Sequence, residues 1–305
     1  MRLATRGPFD LEATVRVLQR RPSNRVDVWA GGRYRRVLET SSGLVLAEVV
    51  DRGNVDAPDL RCVVRGAGRS ASARREVARS LRRMLGLDID PAPLQARAAG
   101  EPPLAAVAHA LRGLRPPRFA SLFEAFASVV PFQQVSLDAG IAIVGRVVER
   151  FGASLAQAGP DHRAFPTAAA IAGARPSALR ACGLSRQKAA TLQWAARAIS
   201  SASLSEAQLA PLPSAEAGAR LTMLKGVGPW TAGLVLLRGC GRLDVFPPGD
   251  VGAQRNLRAL LGTGDERKLR AAVARFGELR GYLYFYALGA SLIGKGLIQS
   301  PRELC

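Results

Sequence analysis

Apolar positions recur along this chain with two different periods, and the change of period divides it. Between Asn24 and Val64 they alternate with polar residues or form short runs, at Arg25–Ala30, Tyr34–Thr40, Leu44–Val50 and Leu60–Val64. Gly31-Gly32, Ser41-Ser42-Gly43 and Asn54-Val55-Asp56-Ala57-Pro58 separate the runs. Alternation punctuated by such turns predicts strands, here a small antiparallel sheet. Helical spacing brackets it. Phe9 to Arg20 predicts one helix, and Ser70 to Leu85 places Val77, Leu81 and Leu85 on one helical face with arginines around the rest, so that this helix packs on the sheet.

Gly100 to Pro117, rich in proline and arginine with one short predicted helix, marks a domain crossing. Beyond it every periodic stretch is helical: Phe119–Val130, a second helix running to Phe151, one starting at Pro166-Thr167, another after the Arg180–Lys188 joint, then Ala215–Leu224, Trp230–Arg238, Val251–Leu261, an arginine-studded helix and Leu279–Leu297. The fold class expected is α+β, a small antiparallel sheet with helices over residues 1–105 followed by a mostly helical body over 106–305. There is no tandem repeat or low-complexity tract.

Composition narrows the partners. With 305 residues and 48% hydrophobic content the chain can bury a sizeable core. Its net charge of +19 fits a polyanion. Only Lys188, Lys225, Lys268 and Lys295 are lysines, so nearly all of that charge is arginine. No apolar run is long enough to span a bilayer, the N-terminus lacks a signal-like apolar stretch, and no basic amphipathic helix carries exposed aromatics. A soluble, cytoplasmic protein is expected, nucleoid-associated if bacterial. Cys62, Cys182, Cys240 and Cys305 are far apart, which suggests neither a disulfide framework nor a metal cluster, and His109 and His162 join no constellation.

The most informative stretch is LKGVGPWTAGLVLLRGCGRLDVFPPGDVGAQR, Leu224 to Arg255. Lys225-Gly226-Val227-Gly228-Pro229 stops one helix, turns, and restarts another: glycines permit positive φ, and Pro229 suits a first helical turn. The unsatisfied amides of such a hairpin face phosphate readily, a sequence-blind grip on DNA backbone. Pro247-Pro248-Gly249 then delivers Asp250 at the start of the next helix, 24 residues after Gly226. An aspartate there is also a natural helix N-cap.

A hairpin followed at this distance by Gly/Pro and Asp closely resembles the helix-hairpin-helix, Gly/Pro-Asp superfamily of DNA glycosylases, and the resemblance is greatest to the 3-methyladenine DNA glycosylase II family. Pro8-Phe9-Asp10 matches how the N-terminal domain of that family begins, and the Gly183-Leu184-Ser185-Arg186 phrase with Lys188 recurs before its hairpin. The resemblance implies an active site in a cleft between helical subdomains, with Asp250 as the catalytic carboxylate that stabilises an oxocarbenium-like sugar and activates water. It implies a base pocket of Trp230, Gln133, Leu234, Val251 and Tyr284, and phosphate contacts at Gly226, Val227, Gly228, Lys225 and Thr231. Gln134, in the Pro131–Ser136 joint, is the implied wedge that fills the stack after base flipping. Members that also cut the backbone carry a lysine where this chain has Trp230, so a monofunctional, hydrolytic enzyme is expected. Relatives can have aromatic pocket walls where Leu234, Val251 and Gly281 stand here.

No cofactor and no iron–sulfur cluster are expected, since Cys305 stands alone at the C-terminal end; a structural Na+ or K+ in the hairpin is a further implication of the resemblance. The expected partner is double-stranded DNA with damaged bases, met by a monomer. Two other readings stand beside removal of alkylated bases: a glycosylase for oxidised or deaminated bases, and a non-catalytic DNA-binding protein using the same hairpin.

Overall fold

The computed structural model describes residues 1–68, 70–156 and 162–299. Five strands, β1 (Arg2–Leu3), β2 (Val28–Ala30), β3 (Arg33–Thr40), β4 (Gly43–Asp51) and β5 (Leu60–Gly66), form one antiparallel sheet in the order β1-β5-β4-β3-β2. Across the central ladder Tyr34 pairs with Val49, Arg36 with Ala47 and Leu38 with Val45, so these six share a face. The apolar ones pack with Val77, Leu81 and Met84 of the helix Ala71–Met84 and with Leu11 and Val15 of the helix Leu11–Gln19. On the other face Arg33 and Arg35 close on Glu48 at 2.7 and 2.8 Å.

β2 starts later than the expected Arg25, because Asn24 Oδ1 accepts from the Val26 and Asp27 amides and folds that segment into a turn. β1 was not expected at all: two residues carry no period.

We number the helices α1 (Leu11–Gln19), α2 (Ala71–Met84), α3 (Ala92–Ala99), α4 (Pro102–Ala110), α5 (Leu122–Val129), α6 (Leu137–Phe151), α7 (Ala168–Ala172), α8 (Pro176–Ala181), α9 (Arg186–Ser200), α10 (Glu206–Leu209), α11 (Ser214–Thr222), α12 (Pro229–Leu234), α13 (Val251–Leu261), α14 (Glu266–Arg275) and α15 (Arg280–Ile293). Ser121, Ser136, Thr167, Ser185 and Asp250 each cap a helix by accepting from the amide three residues on. The crossing region Gly100–Pro117 holds the one short helix expected, α4, with Pro102 and Pro103 in its first turn, where proline starts a helix rather than breaking it; α3, which precedes it, was not expected. α12 does not continue as a regular helix to Arg238; Val235–Cys240 widens into a π-helical turn ending at Gly241 in the left-handed region.

A second, larger core gathers Phe123 and Phe126 of α5, Val235 and Leu237, and Leu283 and Phe285 of α15. α1, α3 and α4 enter it through Val17, Leu94, Ala98 and Leu104. Helices α5, α9, α11 and α12 pack among themselves, while α1, α4, α13 and α14 gather around α15 and its neighbours. The sheet is bolted to this body by charge. Arg36 reaches Asp27 at 2.8 Å and Glu124 of α5 at 2.6 Å, all three buried, and Arg83 of α2 grips Glu206 at 2.5 Å. Buried pairs such as those of Arg36 fix a geometry more than they add stability.

Among the described residues no helix is long and apolar enough to cross a membrane, and no three His, Cys, Asp or Glu side chains gather as a metal site. Burial pushes the thiols of Cys62 and Cys240 up to about 11; Cys305 lies outside the described residues.

Candidate active site

The Leu224–Arg255 stretch folds into the wall of a cleft of about 1000 Å³ that opens between the two groups of helices. α11 ends at Thr222, and the chain reverses through Gly226 with φ +87°. A Cβ there would stand 2.0 Å from Thr191 Oγ1, whose hydroxyl donates to the Lys225 carbonyl at 3.1 Å. Gly226 is therefore required twice, by conformation and by space. Gly228 is different, with an extended backbone and nothing within 4 Å of an added Cβ.

Gln133, on the joint between α5 and α6, braces this hairpin. Its amide donates to the Gly226 carbonyl and to Thr231 Oγ1, both at 3.0 Å. Thr231 is consequently buried, and its hydroxyl is spent inside the protein, not on a phosphate as its position in the motif suggests. The Val227 amide is likewise turned inward, donating to the Leu224 carbonyl at 3.0 Å. Lys225 stays exposed, with Nζ 5.6 Å from the centre of the Trp194 ring. Lys188 donates to the Pro131 carbonyl at 3.0 Å, and burial lowers its pKa. The Lys225 and Gly226 carbonyls accept from Thr191 and Gln133.

Asp250 sits at the cleft as the N-cap of α13. Its Oδ1 accepts from the Ala253 amide at 2.8 Å, and its Oδ2 accepts from Trp230 Nε1 at 3.0 Å. The capping role and the candidate catalytic role thus fall on different oxygens of one carboxylate. Gly233 lets the preceding loop sit close: a Cβ there would meet Pro248 Cδ at 2.8 Å. Three successive restraints, two prolines, a cap and an indole, hold the acid.

Of the other expected residues, Leu234 is buried in the cleft wall and Val251 is exposed on its rim. Gln134 stands exposed beside the cleft with φ +54°, a left-handed conformation uncommon for a residue with a Cβ. In α15 Tyr282, Tyr284, Phe285 and Tyr286 are all buried, and Tyr284 is the one that lines the cleft. Gly281 does not border it; its amide donates to the Leu243 carbonyl at 2.7 Å and an added Cβ would press on Leu237 and the 243–245 backbone.

Sequence reasoning missed Arg20 and Arg238. Arg20, just past α1 with φ +60°, donates through Nη2 to the Tyr284 hydroxyl. Arg238, in the π-helical turn, is fully buried, lies 4.6 Å over the Phe119 ring and reaches the Val17 carbonyl at 3.4 Å. Burial, and after it the neighbouring Arg20 charge, push its guanidinium down to about 10, so it remains charged at neutral pH. The one signal available was a single arginine inside the apolar run Leu234–Cys240. Cations from several segments, including Lys188, Lys225, Arg255 and Lys295, also line the cleft, and among the described lining residues Asp250 is the only carboxylate.

A family model described as HhH-GPD superfamily base excision DNA repair protein matches residues 127–278, and one described as AlkA N-terminal domain matches residues 1–121. The chain is 30% identical over 187 residues to a Bacillus subtilis protein named DNA-3-methyladenine glycosylase, covering 61% of this chain and 62% of that one. It is 31% identical over 288 residues to a Mycobacterium tuberculosis protein named probable bifunctional transcriptional activator/DNA repair enzyme AlkA, covering 92% and 55%. The chain thus spans between half and two thirds of the length of these curated relatives. Among solved structures, 3-methyladenine DNA-glycosylase from Archaeoglobus fulgidus superposes with a TM-score of 0.82 at 27% identity, over 98% of this chain and 100% of that one.

Proposed function

Because the chain belongs to the HhH-GPD superfamily of base excision DNA repair proteins and carries an AlkA N-terminal domain, we propose that it is a monofunctional DNA glycosylase that releases alkylated bases from duplex DNA. The observation that carries the reading is the Trp230–Asp250 pair, fixed beside the hairpin at a cleft wide enough for an extruded nucleotide. Duplex DNA is drawn to the cationic cleft, and the backbone is held by the Gly226 and Gly228 amides and Lys225. The target nucleotide swings out, and Gln134, presented by its left-handed backbone, fills the gap.

The C1′–N bond then breaks, with its electron pair leaving on the base. Positive charge builds on the sugar, where the Asp250 carboxylate stabilises it. Water adds to C1′ and gives up a proton to Asp250, leaving an abasic site. Trp230 supplies no amine, so no Schiff base forms and the backbone is not cut. The chemistry as written calls on no cofactor. The enzyme works where the DNA is, in the cytoplasm, and at the nucleoid if the cell is bacterial. Its domains divide near residue 105, with the cleft in the helical part and Arg20 and Arg21 reaching it from the first part.

The test is release of free base from duplex DNA carrying 3-methyladenine or 7-methylguanine, by wild type and by Asp250→Asn, with strand cutting scored before and after alkali. Asn still caps α13, so the variant should bind and not release. Equal DNA binding with no base release by either protein would leave the hairpin as a clamp alone and overturn the reading.

A further inference from the structure

Resting on that reading, the path of the chain between Trp230 and Asp250 shows what sets the geometry of the pair. Their side chains meet at 3.0 Å, yet they are the two ends of one long excursion of the chain. It leaves the cleft along α12, turns at Val235–Cys240 and returns through Pro247-Pro248-Gly249. The two limbs are fastened to each other on the way. Gly233 lets Pro247 and Pro248 close on α12, and the Arg242 amide donates to the Leu236 carbonyl at 2.9 Å. The far end is the π-helical turn, near the midpoint of the excursion.

That far end is gripped from the N-terminal side. The Arg238 and Gly239 carbonyls lie in the last turn of their helix, which leaves carbonyls to be satisfied by other groups. Arg238 O accepts from the Phe119 amide at 2.7 Å. Gly239 O accepts from Arg83 Nη2 at 2.6 Å and from Arg118 Nη2 and Nε at 2.8 and 3.2 Å. Arg83 also donates through Nε to the Phe119 carbonyl at 2.9 Å. Glu206 of α10, 2.5 Å from Arg83 and 3.2 Å from Arg118, supplies the carboxylate that lets two guanidiniums meet at one oxygen. Behind the turn there is no slack, since a Cβ on Gly239 would stand 2.7 Å from that of Ala125. Arg83, Arg118 and Phe119 all fall within residues 1–121, the match to the AlkA N-terminal domain.

One donor satisfies a buried carbonyl; three N–H groups from two arginines aim it. A shift of the turn passes along the fastened limbs to Asp250, and a displacement of about 1 Å at a reacting group can cost about a hundredfold in rate. We propose that Arg83 and Arg118 are positioning residues for base release: by holding the Gly239 carbonyl they fix the far end of the excursion and with it the place of Asp250 at the cleft. The sheet-bearing part of the chain thereby acts on the chemistry from a distance. Neither arginine lines the cleft, so their loss falls on the rate of release and not on the grip on DNA.

The experiment compares wild type with Arg83→Met, Arg83→Lys, Arg118→Met and Arg275→Met. The last breaks the 2.7 Å pair with Glu101, another tie between the first part and the helices that lies off the excursion. Each protein is measured for Tm, for affinity to an abasic duplex, for single-turnover release of 7-methylguanine at a temperature where all are folded, and for hydrogen exchange of the 235–250 amides. Arg83→Met and Arg118→Met should bind within about twofold of wild type, release about 5- to 50-fold more slowly, and exchange faster at Leu243–Asp250. Arg83→Lys, which keeps a charged donor, should recover part of that rate, and Arg275→Met should release as wild type does. A lowered Tm with wild-type release and wild-type exchange at 243–250 would reduce the clamp to a structural tie and overturn the proposal, as would an equal slowing in Arg275→Met. Should Arg83→Met not fold, Arg118→Met, which leaves the Arg83–Glu206 pair in place, decides the same question. Wild type releasing no base would sink the proposed function itself, whereas variants that match an active wild type sink this proposal alone.

Discussion

Replacing Trp230 by Phe isolates one hydrogen bond of the proposed site. Phenylalanine keeps an aromatic face in the cleft but removes the indole N–H that donates to Asp250 Oδ2 at 3.0 Å. The other oxygen stays bound to the Ala253 amide, so helix α13 keeps its cap and the fold is not at risk. A hydrogen bond to a charged group contributes about 1.5–3 kcal/mol, and this one aims the oxygen on which stabilisation of the sugar cation depends. If all of it is lost from the transition state and none from substrate binding, release slows about 10- to 150-fold. The assay is single-turnover release of 7-methylguanine, paired with the affinity for an abasic duplex, which reports the grip without the chemistry. Affinity should hold within about twofold. A Trp230→Phe protein with wild-type release would refute the idea that the indole positions the acid. A loss appearing wholly in affinity would mean that Trp230 acts by stacking on the ligand.

Other consequences are quick to check. Gly226→Ala forces a Cβ onto Thr191 in a left-handed backbone and should cost roughly 2–5 kcal/mol, read as a large drop in Tm, whereas Gly228→Ala, with open space around it, should leave Tm unchanged. Gln134→Gly should hold or raise stability by up to about 1 kcal/mol, because φ +54° suits glycine, yet slow base release by removing the wedge; retained activity would reassign that role. Gln133→Ala strands the Thr231 hydroxyl and the Gly226 carbonyl and should lower both Tm and duplex affinity, at about 1–3 kcal/mol in stability. Lys225→Ala should reduce the slope of log Kd against log salt by about 1; an unchanged slope would take that lysine off the phosphate.

What was legible in the chain follows from how far each signal reaches. The sheet and most helices showed because period and caps are local: Ser121, Ser136, Ser185 and Asp250 each mark a helix start that the structure contains. The hairpin showed because only glycine meets Gly226's backbone and the Thr191 contact together. The helix Ala92–Ala99 was missed, because two of its eight residues carry the buried apolar face, Leu94 and Ala98, and so short a stretch shows no clear period. In the site, the residues that face the cleft from one continuous segment were found, but Thr231 and Val227 were placed outward when their bonds run inward. Arg20 escaped because nothing in sequence links it to Tyr284, 264 positions away.

That distant pair bears on how a single carboxylate suffices. In a site with two acids, one protonates the leaving group and the other handles the sugar. Here Asp250, which in the proposed mechanism serves the sugar, is fastened by Trp230 and by its own helix, its two oxygens engaged by the N–H groups of Trp230 and Ala253. It cannot swing across to serve the leaving base. Whatever help the base receives must come from other residues lining the cleft, and among the described ones these offer guanidinium, ammonium and phenol, not carboxyl. Arginine stays charged near neutral pH even when buried, as Arg238 does at about 10, so this wall can stabilise an anion without being a proton donor of matched pKa. The separation of roles makes a kinetic statement: release of a neutral base should not lose rate as pH rises from 6 to 8 through titration of an acid catalyst. A hypoxanthine rate that falls steadily over that range, with 7-methylguanine release flat, would refute this and point to a cationic acid such as Lys188, which lines the cleft and whose pKa burial lowers.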